Sequence, residues 1–263
     1  MIASSSIQAS AIKAWLPSVR SQPQAQSRLF CLPYAGIGAT VYSHWQRQLP
    51  ASVEVVAIHL PGRDERLRES SFRRLDPLLD ALAEVLEQCL DLPYAFYGHS
   101  LGGLIAYYLT QRFVRTGEKL PAHLFIGASR APHLPNPHPP IHTLPRVQLA
   151  EHVGRRYGEI PPAILADREL MDIVIPIIQA DMELLETVQY RPAEPLAVPI
   201  SAFAGETDRE IAFAEVAAWR EHTRSRFSCE PLPGDHFFLK SCASSLLSRV
   251  GQEMRAIPHA ARV

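Results

Sequence analysis

Along most of this chain, short apolar runs alternate with longer stretches in which apolar residues recur every three or four positions. The runs at 29–32, 53–58, 94–97, 123–127, 200–204 and 227–232 predict buried strands. The stretches at 41–48, 75–90, 101–116, 211–222 and 239–256 have helical periodicity. Strands apolar on both faces, each followed by an amphipathic helix, predict an α/β fold with a mostly parallel sheet and helices on both faces.

One region breaks the alternation. Pro132, Pro135, Pro137, Pro139, Pro140 and Pro145 crowd a stretch too proline-dense for a helix, so it is predicted to be extended and stiff. Helical patterns follow at 147–157 and 167–188. The second has Leu170, Ile173, Val174, Ile177, Ile178, Asp181 and Leu185 at helical spacing, with a kink expected at Pro176. Pro192, Pro195 and Pro199 lead back to a strand. The expected organisation is a flexible leader at 1–27, a core of 28–131 and 196–263, and a helical lid insertion at 132–195. The leader is rich in Ser, Gln and Ala. Its apolar residues Ile12, Ala14, Trp15 and Leu16 are interrupted by Lys13 and stopped by Pro17, too short a run for a signal peptide.

The 263 residues, 47% of them hydrophobic, suffice for one substantial core. With 26 basic against 27 acidic side chains, net charge is −1, which argues against nucleic acid or an anionic membrane as partner. No segment is long and apolar enough to cross a bilayer. Cys31, Cys89, Cys229 and Cys242 are scattered without a C-x-x-C pair, as expected of reduced thiols in a cytoplasmic protein. A monomer is expected.

Candidate chemistry centres on Gly98-His99-Ser100-Leu101-Gly102, a G-x-S-x-G pattern between a predicted strand and a predicted helix. Ser100 is the expected nucleophile. A serine needs a base, and the base an orienting acid. Of the late histidines, His222 lies in a helical pattern and His259 in the tail. His236 follows the last predicted strand and is the expected base. Asp208, just past the strand at 200–204, is the expected acid; Glu206 and Asp235 compete with it. The earlier window 119–150 contains no Asp or Glu, which leaves the later loop as supplier. Two N–H groups must stabilise the oxyanion. They are expected from Leu101, after the nucleophile, and from Ala35 in the loop Pro33-Tyr34-Ala35-Gly36-Ile37-Gly38. His133, His138 and His142 lie among prolines without neighbouring Cys or carboxylates, so no metal is expected there.

The chain resembles the type II thioesterases, the stand-alone editing enzymes of nonribosomal peptide and polyketide synthases, which have an α/β-hydrolase fold. The resemblance rests on Pro33-Tyr34-Ala35-Gly36, Leu60-Pro61-Gly62-Arg63-Asp64-Glu65-Arg66, Gly98-His99-Ser100-Leu101-Gly102, Arg130-Ala131-Pro132-His133 and Gly234-Asp235-His236-Phe237-Phe238, in that order. It departs from the usual pattern in having Gly36-Ile37-Gly38 for a Gly-Gly pair, and Asp235 where Gly is common. The resemblance implies hydrolysis of an acyl thioester on the phosphopantetheine of acyl or peptidyl carrier proteins, with no bound cofactor. It also implies a docking face for an acidic carrier, for which Arg63, Arg66, Arg68, Arg73 and Arg74, and Arg155 and Arg156, are candidates. A carboxylesterase or lipase acting on free oxyesters, an acyl transferase or cyclase, and a non-catalytic binding protein are the alternatives.

Overall fold

The computed structural model describes residues 2–158, 160 and 166–258. Six strands, β1 (Ser27–Leu32), β2 (Val53–Ala57), β3 (Tyr94–His99), β4 (His123–Gly127), β5 (Ile200–Gly205) and β6 (Phe227–Leu232), form one sheet in the order β2-β1-β3-β4-β5-β6. Every pairing is parallel. Side chains alternate between two cores, as strand geometry requires. Phe30, Leu32 and Phe96 pack with Leu79 of α2 (Leu75–Leu86) and Ile105 of α3 (Leu101–Thr116). Leu29, Cys31 and Tyr97 pack on the opposite face with Leu246 and Val250 of α7 (Ala243–Arg255).

This topology positions the site. The chain runs from β1 out to β2 and returns to the other side of β1 as β3, so the strand order reverses between β1 and β3. A crevice opens at such a point beyond the carboxyl ends of the strands. The loops that carry Ala35, Ser100, Asp208 and His236 all leave that edge, from β1, β3, β5 and β6 respectively.

Two helices, α4 (Arg146–Tyr157) and α5 (Arg168–Glu186), share a separate small core of Leu149, Ile160, Ile175, Ile178 and Met182. Asp167 caps α5 by accepting the N–H groups of Glu169 and Leu170 at 2.8 and 3.2 Å. The helix continues through Pro176.

The leader, expected to be flexible, contains α1 (Ile2–Trp15), and Trp15 and Leu16 at its end are buried, with the Arg66 guanidinium 4.2 Å above the Trp15 ring. Tertiary burial of two apolar residues thus anchors a segment whose composition reads as disordered. The helix expected at 41–48 is instead two 3₁₀ turns, Ala39–Tyr42 and Trp45–Arg47. Tyr42 and Trp45 are buried three residues apart, a spacing that serves a 3₁₀ turn as well as an α-helix. The helix expected at 211–222 is a short α6 (Phe213–Ala217) followed by a 3₁₀ turn, Ala218–His222.

Candidate active site

Ser100 sits between β3 and α3 with φ 51° and ψ −115°, a backbone conformation that a residue with a Cβ rarely adopts. Its N–H donates to Gly127 O at 2.7 Å. The flanking glycines are required by contact. A Cβ on Gly98 would lie 2.2 Å from Gly102 O, and one on Gly102 2.2 Å from Leu32 O. The sharp turn therefore exists only where two backbones touch, and it holds the hydroxyl at the N-terminus of α3.

Asp208 and His236 come together as expected. His236 Nδ1 donates to Asp208 Oδ2 at 2.8 Å, and the two side chains are 3% and 1% exposed, so the bond lies out of water. Asp208 Oδ1 accepts the N–H groups of Glu210 and Ile211 at 2.9 and 3.1 Å. Burial opposes the charge on Asp208. The His236 bond and these two N–H donors outweigh it, so its pKa lies below the ordinary value. The two competitors are elsewhere. Glu206 is exposed, and Asp235 Oδ1 accepts the Phe237 N–H at 2.8 Å.

Neither the Leu101 N–H nor the Ala35 N–H has a hydrogen-bond acceptor among the described residues. Ser100 opens on a cavity of about 140 Å³ lined by Leu104, Pro132, Tyr157, Leu185 and Val188, with the buried carboxyl of Glu210 also in its wall. His236 faces a second groove that passes Tyr157 and is edged by Arg155, Arg156 and Arg209.

The x position of the elbow has no role predicted from sequence, yet it supports the loop of His236. The His99 ring is buried, and its Nε2–H donates to the His236 carbonyl at 2.7 Å; its Nδ1 accepts from the Tyr97 hydroxyl at 3.0 Å. The strand that leads into Ser100 thus also fixes the backbone of the loop that carries His236. A readable signal was the position itself: a histidine at the end of a fully apolar strand must find partners.

Burial lowers the His99 pKa to about 3, and those of His123 and His222 to about 4 each. The unfolded chain therefore takes up these protons first as the pH falls below about 6.5. The stability they contribute is complete above that pH and is lost as it drops toward the folded values. Each histidine adds a slope approaching ~1.4 kcal/mol per pH unit. Stability against urea is expected to fall steadily from pH 6.5 to 4.5. His99→Gln, which keeps a donor but cannot titrate, should flatten that slope by about one proton; an unchanged slope would contradict the assignment.

The three histidines of the proline-rich segment do meet partners, contrary to their local sequence, but separate ones. His142 lies 2.6 Å from Glu186, His138 3.4 Å from Glu210, and His133 2.7 Å from His222. His222 in turn lies 3.1 Å from the Tyr107 hydroxyl. His259 falls outside the described residues.

The arginine-rich loop also differs from expectation. Arg63 and Arg66 are buried, Arg63 against Asp181 and Arg66 against Glu69, while Arg73 and Arg74 both pair with Glu183. Glu69 nearby, and Asp181 and Glu183 far along the chain, thus pair with four of the five, and Arg68 alone is exposed without an ion pair among the described residues. Four cysteines are free.

A parallel sheet with a strained serine after β3 and an Asp–His pair on later loops is the arrangement of an α/β-hydrolase-fold serine hydrolase. The chain belongs to the Thioesterase domain family, which it matches over residues 27–254. It is 34% identical over 248 residues to the gramicidin S biosynthesis protein GrsT of Aneurinibacillus migulanus, covering 94% of this chain and 96% of that one. Among solved structures it is similar to the RedJ thioesterase of the prodiginine pathway in Streptomyces coelicolor, with TM-score 0.81, 38% identity, and 87% and 91% of the two chains covered. The type II thioesterase BorB of the borrelidin cluster gives TM-score 0.80 at 30% identity, with 92% and 97% covered. The resemblance to the stand-alone synthase thioesterases is thereby borne out, and with it a thioester-hydrolysing enzyme. Among the described residues no helix is long and apolar enough to cross a membrane.

Proposed function

We propose that this enzyme hydrolyses short acyl groups from the phosphopantetheine thiol of carrier proteins in a nonribosomal peptide or polyketide synthase, working through Ser100, His236 and Asp208. The observation that carries the catalytic part is the buried 2.8 Å bond between His236 and Asp208, on loops that leave the same sheet edge as Ser100. The carrier-bound substrate is supported by the relatives' roles in synthase pathways.

In this reading Ser100 Oγ attacks the thioester carbon while His236 Nε2 takes its proton. Asp208 holds Nδ1 protonated, which leaves Nε2 free to accept. The carbonyl electron pair moves onto oxygen, where the N–H groups of Leu101 and Ala35 receive it. Collapse expels the pantetheine thiol, protonated by His236, and leaves an acyl ester on Ser100. Water, deprotonated by His236, then releases the acid. Nothing beyond water is consumed, so no bound cofactor is required. A thiol leaves readily, with a pKa near 8.5 by analogy with Cys.

The cavity beside Ser100, at about 140 Å³, is well below the roughly 300–1,000 Å³ of pockets for larger ligands, which favours a short acyl unit. The groove edged by Arg155, Arg156 and Arg209 suits the phosphate of the pantetheine arm. Four free thiols suit a cytoplasmic setting, where we place the enzyme as a monomer beside its synthase.

Kinetics on acylated carrier proteins, acyl-pantetheines and p-nitrophenyl esters test the reading. Short acyl groups on carrier protein should give the highest kcat/KM, at least about tenfold above the matching oxyester. Preference for the free oxyester would replace this function with that of a general esterase.

A further inference from the structure

The loop that carries the Ala35 N–H is held from outside by two carboxylates. Asp181, on lid helix α5, accepts the Gly36 N–H at 2.7 Å through Oδ2. The same carboxylate takes both ends of the Arg63 guanidinium, Nη1 to Oδ2 at 2.7 Å and Nη2 to Oδ1 at 2.8 Å. Arg63 also donates to Ile37 O at 3.3 Å. Three residues on, Asp64 Oδ2 accepts the Ala39 N–H at 2.8 Å. Asp181 is 2% exposed and Arg63 4%, so the pair is sealed from water.

The loop needs such restraint. Gly36 has φ +79° and lacks a side chain to limit rotation, so the peptide planes around it turn at little cost. A Cβ there would strike Ile178 Cγ1 of α5 at 2.7 Å. Ala35 packs against both the main core and the lid core. The helix therefore lies directly on the loop, and the buried Asp181 carboxylate fixes the peptide plane next to Ala35.

We infer that Asp181 is a positioning residue for the oxyanion site: it locks the 35–36 peptide so that the adjacent Ala35 N–H points at the reacting oxygen, and it does so only while α5 is seated. Arg63 holds the carboxylate aimed through both oxygens. The lid is thereby coupled to transition-state stabilisation rather than serving only as a cover. This rests on the reading of Ala35 as an oxyanion donor.

Two ligands separate this role from ordinary packing. One is pantetheine carrying an S-trifluoroacetonyl group, whose ketone carbonyl becomes an oxyanion when Ser100 adds to it. The other is the matching thioether without that carbonyl, which does not. Asp181→Leu should weaken the ketone at least about 30-fold, within the range for loss of an oxyanion donor. Thioether affinity should stay within about threefold, and kcat should fall with little change in KM. Asp181→Asn keeps one acceptor oxygen and should give an intermediate loss; it carries the test alone if the leucine variant does not fold. Equal weakening of both ligands would reduce Asp181 to lid packing, and no change in either would also overturn the proposal. Failure of the unmodified enzyme to bind the ketone would instead refute the catalytic reading on which this one depends.

Discussion

Ser100→Ala is expected to lower kcat on acyl-carrier substrates by at least about 10³-fold, or ~4 kcal/mol of transition-state stabilisation. The prediction is sharp because the substitution removes little else. Alanine has the same Cβ as serine, so it meets the same strain at φ 51°, and the elbow is enforced by the contacts of Gly98 and Gly102 rather than by the hydroxyl. The Ser100 N–H bond to Gly127 O is a backbone bond and survives. Thermal midpoint and substrate KM should therefore barely move. Residual turnover would come from the oxyanion donors and from binding alone. Labelling by a fluorophosphonate, read as a mass increase, should appear on the parent enzyme and vanish in the variant. Activity within tenfold of the parent would mean that the chemistry runs elsewhere.

How much of this site could be read in advance depended on whether each signal was local. The strand–turn–helix around Ser100 is written in consecutive residues, and α3 begins and ends where its apolar pattern does. The strand at 123–127 was equally plain, because a parallel strand buried on both faces is a near-continuous apolar run. Asp208 and His236 were found by chain order and by their places just past strands, although 28 residues separate them. What stayed hidden depends on distant partners. Arg63 reads as one of several surface arginines until α5 brings Asp181 against it, 118 positions later. A clue did exist: Asp181 falls among Ile177, Ile178 and Leu185 on the apolar face of α5, and a carboxylate there must be paired. The anchoring of Trp15 was hidden for the same reason, since only the assembled core shows what two apolar residues can cover.

The Arg63–Asp181 pair and the His99–His236 bond have a common logic. In each, a buried polar side chain on one element fixes a backbone group of the loop next to it: the Gly36 N–H in the first, the His236 carbonyl in the second. Loops at a sheet edge are the least restrained part of an α/β fold, and catalysis needs them held to within about 0.5 Å. His99 lies within the motif around Ser100, so that motif encodes loop rigidity as well as the turn itself, whereas Asp181 reaches its loop from α5.

Asp208→Asn should cost about as much as loss of the nucleophile, near 10⁴-fold in kcat, while leaving the fold intact. The geometry dictates which way the amide turns. Oδ1 accepts two backbone N–H groups, from Glu210 and Ile211, and an NH₂ placed there would face two donors. The asparagine oxygen must therefore keep the Oδ1 position, which preserves the turn at 208–211 and the stability it supplies. The NH₂ is left at the Oδ2 position, 2.8 Å from His236 Nδ1. It can only donate, so the imidazole must offer Nδ1 as acceptor and carry its proton on Nε2. That nitrogen can then no longer accept the Ser100 proton. Asp208→Ala removes the misdirecting amide and should be less inactive than Asp208→Asn, even though it removes more of the side chain. Glu206→Gln, at an exposed site, should remain within twofold of the parent. An asparagine variant within tenfold of the parent, or an alanine variant clearly worse than it, would show that Asp208 does not set the tautomer of His236.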